Sequence, residues 1–179
     1  DPTERFCTAV FARVRRSPQG RHRLVVASGG HPLPLRVSVD GDVAPIGRHG
    51  SLLGVLDPRD RQAHRCIVGD DDAAWSERLG LAEGGLDYAI AALRECFEEV
   101  GLLLADRDFD HAAATPWRDR LQNGEAATAD LCDTLGIALD LRGLHYWSHW
   151  LTPPRSPKRF DTRFFMARAP AGQEAVADY

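Results

Sequence analysis

From Leu86 to Val100 the chain repeats apolar residues at helical intervals and then stops on a glycine. Leu86, Ile90, Leu93, Phe97 and Val100 follow one another at spacings of four, three, four and three. That is the stripe of a helix with one face on a core. Ala89, Ala91 and Ala92 favour helix. Gly101 suits the left-handed position just past a helix C-terminus. Leu102, Leu103 and Leu104 come next, and a short apolar run beyond a helix stop predicts a buried strand.

The same helix carries Arg94-Glu95-Cys96-Phe97-Glu98-Glu99-Val100-Gly101-Leu102. Glu98 and Glu99 lie three and four residues beyond Glu95, so the three carboxylates share a surface away from the apolar stripe. Clustered carboxylates repel unless a cation sits among them. A hard divalent ion, Mg²⁺ or Mn²⁺, prefers such oxygen ligands. Arg94 lies four residues before Glu98 and can brace the cluster. The plainer reading is a solvated acidic face, which is common on helices. Cys96 reads as a small residue near the core, since no His partner accompanies it.

The order Arg-Glu-apolar-any-Glu-Glu-any-Gly-apolar resembles the second half of the signature helix of the Nudix hydrolases. The resemblance implies an α/β fold, a Nudix-like α/β/α sandwich with a mixed sheet and helical insertions, with room to be incomplete at both ends. It implies a diphosphatase that hydrolyses a diphosphate linkage in a nucleoside diphosphate derivative with Mg²⁺ or Mn²⁺. Glu95, Glu98 and Glu99 would be the metal ligands. With Arg94 as their orienting partner they would form the catalytic set, Glu98 serving also as base toward water.

The first half of that signature is displaced. Gly54-Val55-Leu56-Asp57-Pro58-Arg59-Asp60 resembles its Gly-x-x-acid-x-x-acid portion, with Asp60 where Glu is usual. Asp60 stands 34 residues before Arg94, where the family has eight. An insertion at about 61–85 is therefore expected, holding Asp70-Asp71-Asp72 and an amphipathic stretch, Ala73 to Leu79. It resembles the branch of the family that contains coenzyme A diphosphatases, so CoA or an acyl-CoA is the implied substrate. Leu53 stands where the family turn has glycine, a position whose backbone freedom leucine lacks. A degenerate Nudix module that binds a nucleotide or protein partner without turnover is the alternative.

Residues 1–50 hold eight arginines against four acids in a chain whose net charge is −4. They read as a divergent or poorly structured region ahead of a Nudix-like domain at 51–179. Leu24 to Val26 and Leu35 to Val39 are candidate strands. Two readings of this region stay open, translation out of frame up to about residue 53 or a divergent basic N-terminus. In the distal half, Ala112–Gln122 and Ala126–Leu135 read as helices, and Leu144–Leu151 and Phe160–Ala167 as strands. Trp150 is a candidate to stack a base, and Arg159 and Arg163 to meet phosphates. Glu174 is a candidate substitute base.

The net charge gives no case for nucleic-acid binding. No apolar run approaches the roughly 18 residues needed to cross a membrane. Four dispersed cysteines (Cys7, Cys66, Cys96, Cys132) suit reduced thiols in the cytoplasm and argue against a zinc cluster. The expected partner is a small molecule, and a homodimer is compatible with the resemblance.

Overall fold

The computed structural model describes residues 9–17, 20–29, 34–46, 57–152 and 161–176. Two antiparallel hairpins come first: β1 (Ala9–Arg16) pairs with β2 (His22–Gly29), and β3 (Leu35–Val37) with β4 (Val43–Pro45). The candidate strand at 24–26 falls within the first pairing; that at 35–39 is strand only to Val37, the chain turning at Val39 and Asp40 to bring β4 back, although residues 1–50 had read as divergent or poorly structured.

A 3-10 helix (Pro58–Cys66) follows, then β5 (Ile67–Val68), α1 (Asp72–Leu79) and α2 (Gly85–Val100). These cover the expected insertion, which is folded and contributes to the core. Trp75 and Leu79 of α1 are buried, as is Ala63 of the 3-10 helix. Asp71 caps α1, its carboxylate accepting from Ala74 N at 3.0 Å. Asp72 reaches further. Its two oxygens accept from Leu86 N (2.9 Å) and Gly84 N (3.0 Å), so the end of the insertion is tied to the start of α2.

α2 matches the predicted helix to within a residue, and Gly101 ends it at φ 72° with its N–H on Phe97 O. The apolar stripe is buried as predicted: Leu86, Ile90, Leu93, Phe97 and Val100 all face the interior. Removing such a side chain from water stabilises by roughly 1.5–3 kcal/mol each.

The Leu102–Leu104 run is buried at Leu102 and Leu103 but is not a strand. The Gln173 side chain occupies the place of a neighbouring strand. Its Oε1 accepts from Leu103 N and its Nε2 donates to Leu103 O, both at 2.9 Å. Asp140 N donates to Leu104 O, and Ala105 makes a single bridge with Leu139.

Beyond it come α3 (His111–Ala114), α4 (Trp117–Gln122), α5 (Thr128–Leu135), β6 (Leu139–Asp140), β7 (Leu144–Leu151) and β8 (Asp161–Ala167). The helix expected at Ala112–Gln122 is therefore two. Pro116 brings no N–H to continue the first one. β5 and β6 pair in parallel, and β7 and β8 antiparallel with a bulge at Trp147. The arrangement is α/β, and among the described residues the strands form four two-stranded sheets. No helix among them is long and apolar enough to cross a membrane.

Candidate functional site

α2 positions the site because its apolar stripe fixes the helix against the core while Arg94, Glu95 and Glu98 emerge from the adjoining surface. All three are nevertheless buried. The Arg94 guanidinium is their centre. Its Nη1 donates to Glu98 Oε1 and Oε2 at 2.9 and 3.0 Å, and its Nη2 lies 2.7 Å from Glu95 Oε1. Its Nε donates to Asp60 Oδ2 at 3.2 Å. The bracing expected between Arg94 and Glu98 is present. Asp60, placed in the displaced half of the motif by resemblance, returns to the same guanidinium across 34 residues of chain.

The electrostatics are those of too little positive charge. Three buried carboxylates share one arginine, an excess of two negative charges if all ionise. Burial pushes the Glu95 carboxyl up to about 7 in spite of Arg94 beside it, and Glu98 adds to the rise. Burial likewise raises Glu98 and Asp60, with Arg94 opposing in both cases. Burial works against the charge of Arg94, but Asp60, Glu95 and Glu98 outweigh it and hold the guanidinium protonated. A divalent cation among oxygen donors would cancel the excess, so the donor set fits Mg²⁺ or Mn²⁺ in charge and in chemistry. Among the described residues, however, no three His, Cys, Asp or Glu side chains converge as a ready-made metal cluster. Arg94 occupies the space between Glu95 and Glu98. Glu99, the third predicted ligand, is partly buried and makes a contact of its own.

Arg118 was missed by sequence reasoning. From α4 its Nε and Nη2 both donate to Glu98 O, at 3.0 and 2.9 Å. This places a cation at the C-terminus of α2, where the helix dipole favours one. Asp87 was also missed. It contacts His64 Nε2 at 2.7 Å and accepts from Arg61 Nε at 3.1 Å, joining the 3-10 helix to the first turns of α2. Neither residue belongs to a local motif, since both contacts depend on the tertiary fold.

The substrate candidates are spread. Trp150 is 69% exposed on β7, its ring in an edge-to-face arrangement with Phe164 at 6.4 Å between centres. Arg163 is interior instead, 4% exposed, with its guanidinium 4.4 Å from the Tyr88 ring centre of α2. Its Nη1 donates to Asp161 Oδ1 at 3.0 Å, while its Nε–H is buried without a partner. Arg159 and the turn at Leu53-Gly54 lie outside the described residues. Glu174 is exposed and pairs with Arg15 at 3.9 Å.

Comparison with known proteins bears on the whole chain. The chain is 33% identical over 105 residues to acyl-coenzyme A diphosphatase NUDT19 of Gallus gallus, covering 46% of this chain and 28% of that protein. It is 32% identical over 113 residues to the protein of the same name from Homo sapiens, covering 54% and 30%. The chain thus spans about a third of the length of these relatives. A crystal structure of a NUDIX hydrolase from Alicyclobacillus acidocaldarius superposes with a TM-score of 0.57 at 24% identity, covering 100% of this chain and 76% of that one. That likeness makes the fold Nudix-like.

A model of stage II sporulation protein E (SpoIIE) matches residues 1–74, which include both N-terminal hairpins. The model of the NUDT19 Nudix domain matches residues 49–177, most of the chain and all of the α2 site, and the chain belongs to that Nudix family.

Proposed function

We propose that this chain carries a metal-dependent Nudix diphosphatase that hydrolyses a diphosphate linkage in CoA or an acyl-CoA. The observation that carries the reading is the buried set of Asp60, Glu95 and Glu98 around Arg94, which holds more negative charge than one guanidinium balances. The names of the NUDT19 relatives support the substrate class.

Glu95, Glu98 and Glu99 would hold Mg²⁺ or Mn²⁺, which when bound supplies neutralisation of the diphosphate and a more acidic water. Arg94 orients Glu95 and Glu98 through its forked donors. Glu98 accepts the proton of the attacking water, a role that its raised affinity for protons suits. Trp150 offers an exposed ring for a base, and Arg159 and Arg163 are the proposed phosphate contacts, with Arg163 keeping an unpartnered Nε–H. Residues 51–179 form the catalytic domain in this reading, with residues 1–50 ahead of it; the SpoIIE match over residues 1–74 runs past that boundary. Unpaired thiols at Cys66, Cys96 and Cys132 suit a reducing compartment such as the cytoplasm.

A second reading is a Nudix module that binds without turnover. It is favoured by the occupation of Glu95 and Glu98 by Arg94, with no three-carboxylate cluster among the described residues. One assay separates the two. The folded chain is incubated with Mg²⁺ or Mn²⁺ and CoA, acyl-CoA, NADH, ADP-ribose or a nucleoside triphosphate, beside Glu98→Gln. Turnover of CoA derivatives that disappears in Glu98→Gln supports the hydrolase. Metal binding without any turnover supports the binding module.

A further inference from the structure

We infer that Thr128 is a positioning residue for the α2 site, its hydroxyl fixing Asp60 and, through Asp60, the guanidinium of Arg94. The effect on turnover rests on the hydrolase reading above; the effect on Arg94 does not.

Asp60 is 1% exposed, and each of its oxygens has one hydrogen-bond donor. Oδ2 accepts from Arg94 Nε, and Oδ1 accepts from Thr128 Oγ1 at 3.0 Å. Thr128 is itself 1% exposed, so water does not compete for the hydroxyl. It is the first residue of α5, and that end is held in place: Asp130 Oδ2 accepts from Ala127 N at 2.8 Å. The threonine therefore presents its O–H to Asp60 from a fixed backbone.

The consequence for Arg94 is geometric. A carboxylate held at both oxygens has one orientation, and Arg94 Nε is aligned by it. The remaining guanidinium nitrogens then meet Glu95 and Glu98. Without the hydroxyl, Oδ1 is a buried acceptor with no donor, which is unfavourable enough to turn or protonate the carboxyl. Either change releases the Nε side of Arg94. The hydroxyl contact with Asp60 also lowers the proton affinity that burial raises there. Thr128 is 68 residues from Asp60 in sequence and outside any motif, so only the fold connects α5 to the carboxylates of α2.

Two variants and two readouts test this. Thr128→Val keeps the side-chain shape and removes the hydroxyl; Thr128→Ser keeps the hydroxyl. The first readout is the Arg94 Nε–H resonance in a ¹⁵N correlation spectrum, assigned by its loss in Arg94→Lys. The second is steady-state kinetics on a CoA derivative with Mg²⁺. In Thr128→Val the Arg94 signal is expected to shift or broaden and kcat to fall at least about tenfold with KM little changed, as loss of a hydrogen bond to a charged group can produce. Thr128→Ser should return both. An unmoved Arg94 signal in folded Thr128→Val overturns the inference, as does Thr128→Ser behaving like the valine variant. If circular dichroism shows Thr128→Val unfolded, Thr128→Ala takes its place under the same expectations. If the wild type turns over no CoA derivative, the hydrolase reading falls, and the Arg94 signal still decides the inference.

Discussion

Gly85 and Ser76 are in backbone contact where α2 crosses α1. The Gly85 N–H donates to Ser76 Oγ at 2.9 Å, and a Cβ at Gly85 would stand 2.2 Å from Ser76 N. The obstacle is main chain, so no side-chain rotation relieves it. Gly85→Ala should push α1 from α2 and destabilise the protein by at least about 3 kcal/mol, the upper end of ordinary overpacking. Gly136, at φ 64° with open space around its Cβ position, is the control. Gly136→Ala should lose only about 1–2 kcal/mol, the cost of a left-handed alanine. Urea midpoints of both variants check the contrast; equal losses would refute it.

Asp72 links the same two helices in a pH-dependent way. The hydrogen bond from Leu86 N, joined by that from Gly84 N, holds its carboxyl below the ordinary value of 3.8, against some burial. A depressed carboxyl stabilises the fold when ionised. That contribution is complete above the unfolded value and is lost as pH falls through the lower folded value. Asp72→Ala should therefore cost about 1 kcal/mol at pH 7, typical of a carboxylate on helix-end N–H groups, and the difference should shrink as the pH falls below 3.8. Denaturation midpoints of wild type and variant at pH 7 and pH 3 measure it. A penalty that grows on acidification would contradict the assignment.

What the sequence made legible was local. The α2 stripe, its glycine stop and the Arg94–Glu98 spacing follow from helical geometry, and the structure shows each of them. Leu102–Leu104 was legible as buried but not in conformation. Whether an apolar run becomes a strand depends on the partner that arrives, and here Gln173 supplies it from 70 residues away. Arg118 on Glu98 O and Thr128 on Asp60 are invisible for the same reason: single long-range contacts leave no periodicity behind. Asp60 lies between these cases. Motif resemblance placed it in the signature, and the fold shows that it meets Arg94 despite the inserted segment.

The thiols should differ in reactivity. The neighbouring Cys132 thiol is the main influence lowering Cys66, with Arg65 assisting against partial burial. Cys66 in turn, reinforced by burial, raises Cys132, and burial alone pushes Cys96 up to about 11. Since the thiolate is the reacting form, iodoacetamide at pH 8 should label Cys66 before Cys96 and Cys132. Time-resolved peptide mass mapping of the native protein gives the order. First labelling at Cys96 would show that its sulfur is not held up by burial, and would reopen it as a nucleophile.

Arg94 is where stability and function are hardest to separate. It is the only cation on Asp60, Glu95 and Glu98 that the described contacts supply, and all four side chains are buried. Removing one member of a buried ionic network leaves uncompensated charge, which commonly costs about 3–5 kcal/mol. Arg94→Met should fall in that range at pH 7. Protonation of the stranded carboxyls should relieve it, so the loss should shrink as the pH is lowered toward 5. If these carboxylates also hold a divalent ion, millimolar Mn²⁺ should raise the melting temperature of Arg94→Met more than that of the wild type. The ion then replaces a missing counter-charge as well as adding one. Calorimetry at the two pH values, with and without Mn²⁺, reads both effects. A penalty independent of pH would mean that Arg94 acts through packing alone, and a variant indifferent to Mn²⁺ would argue that the cluster is an ion-pair network and not a metal site.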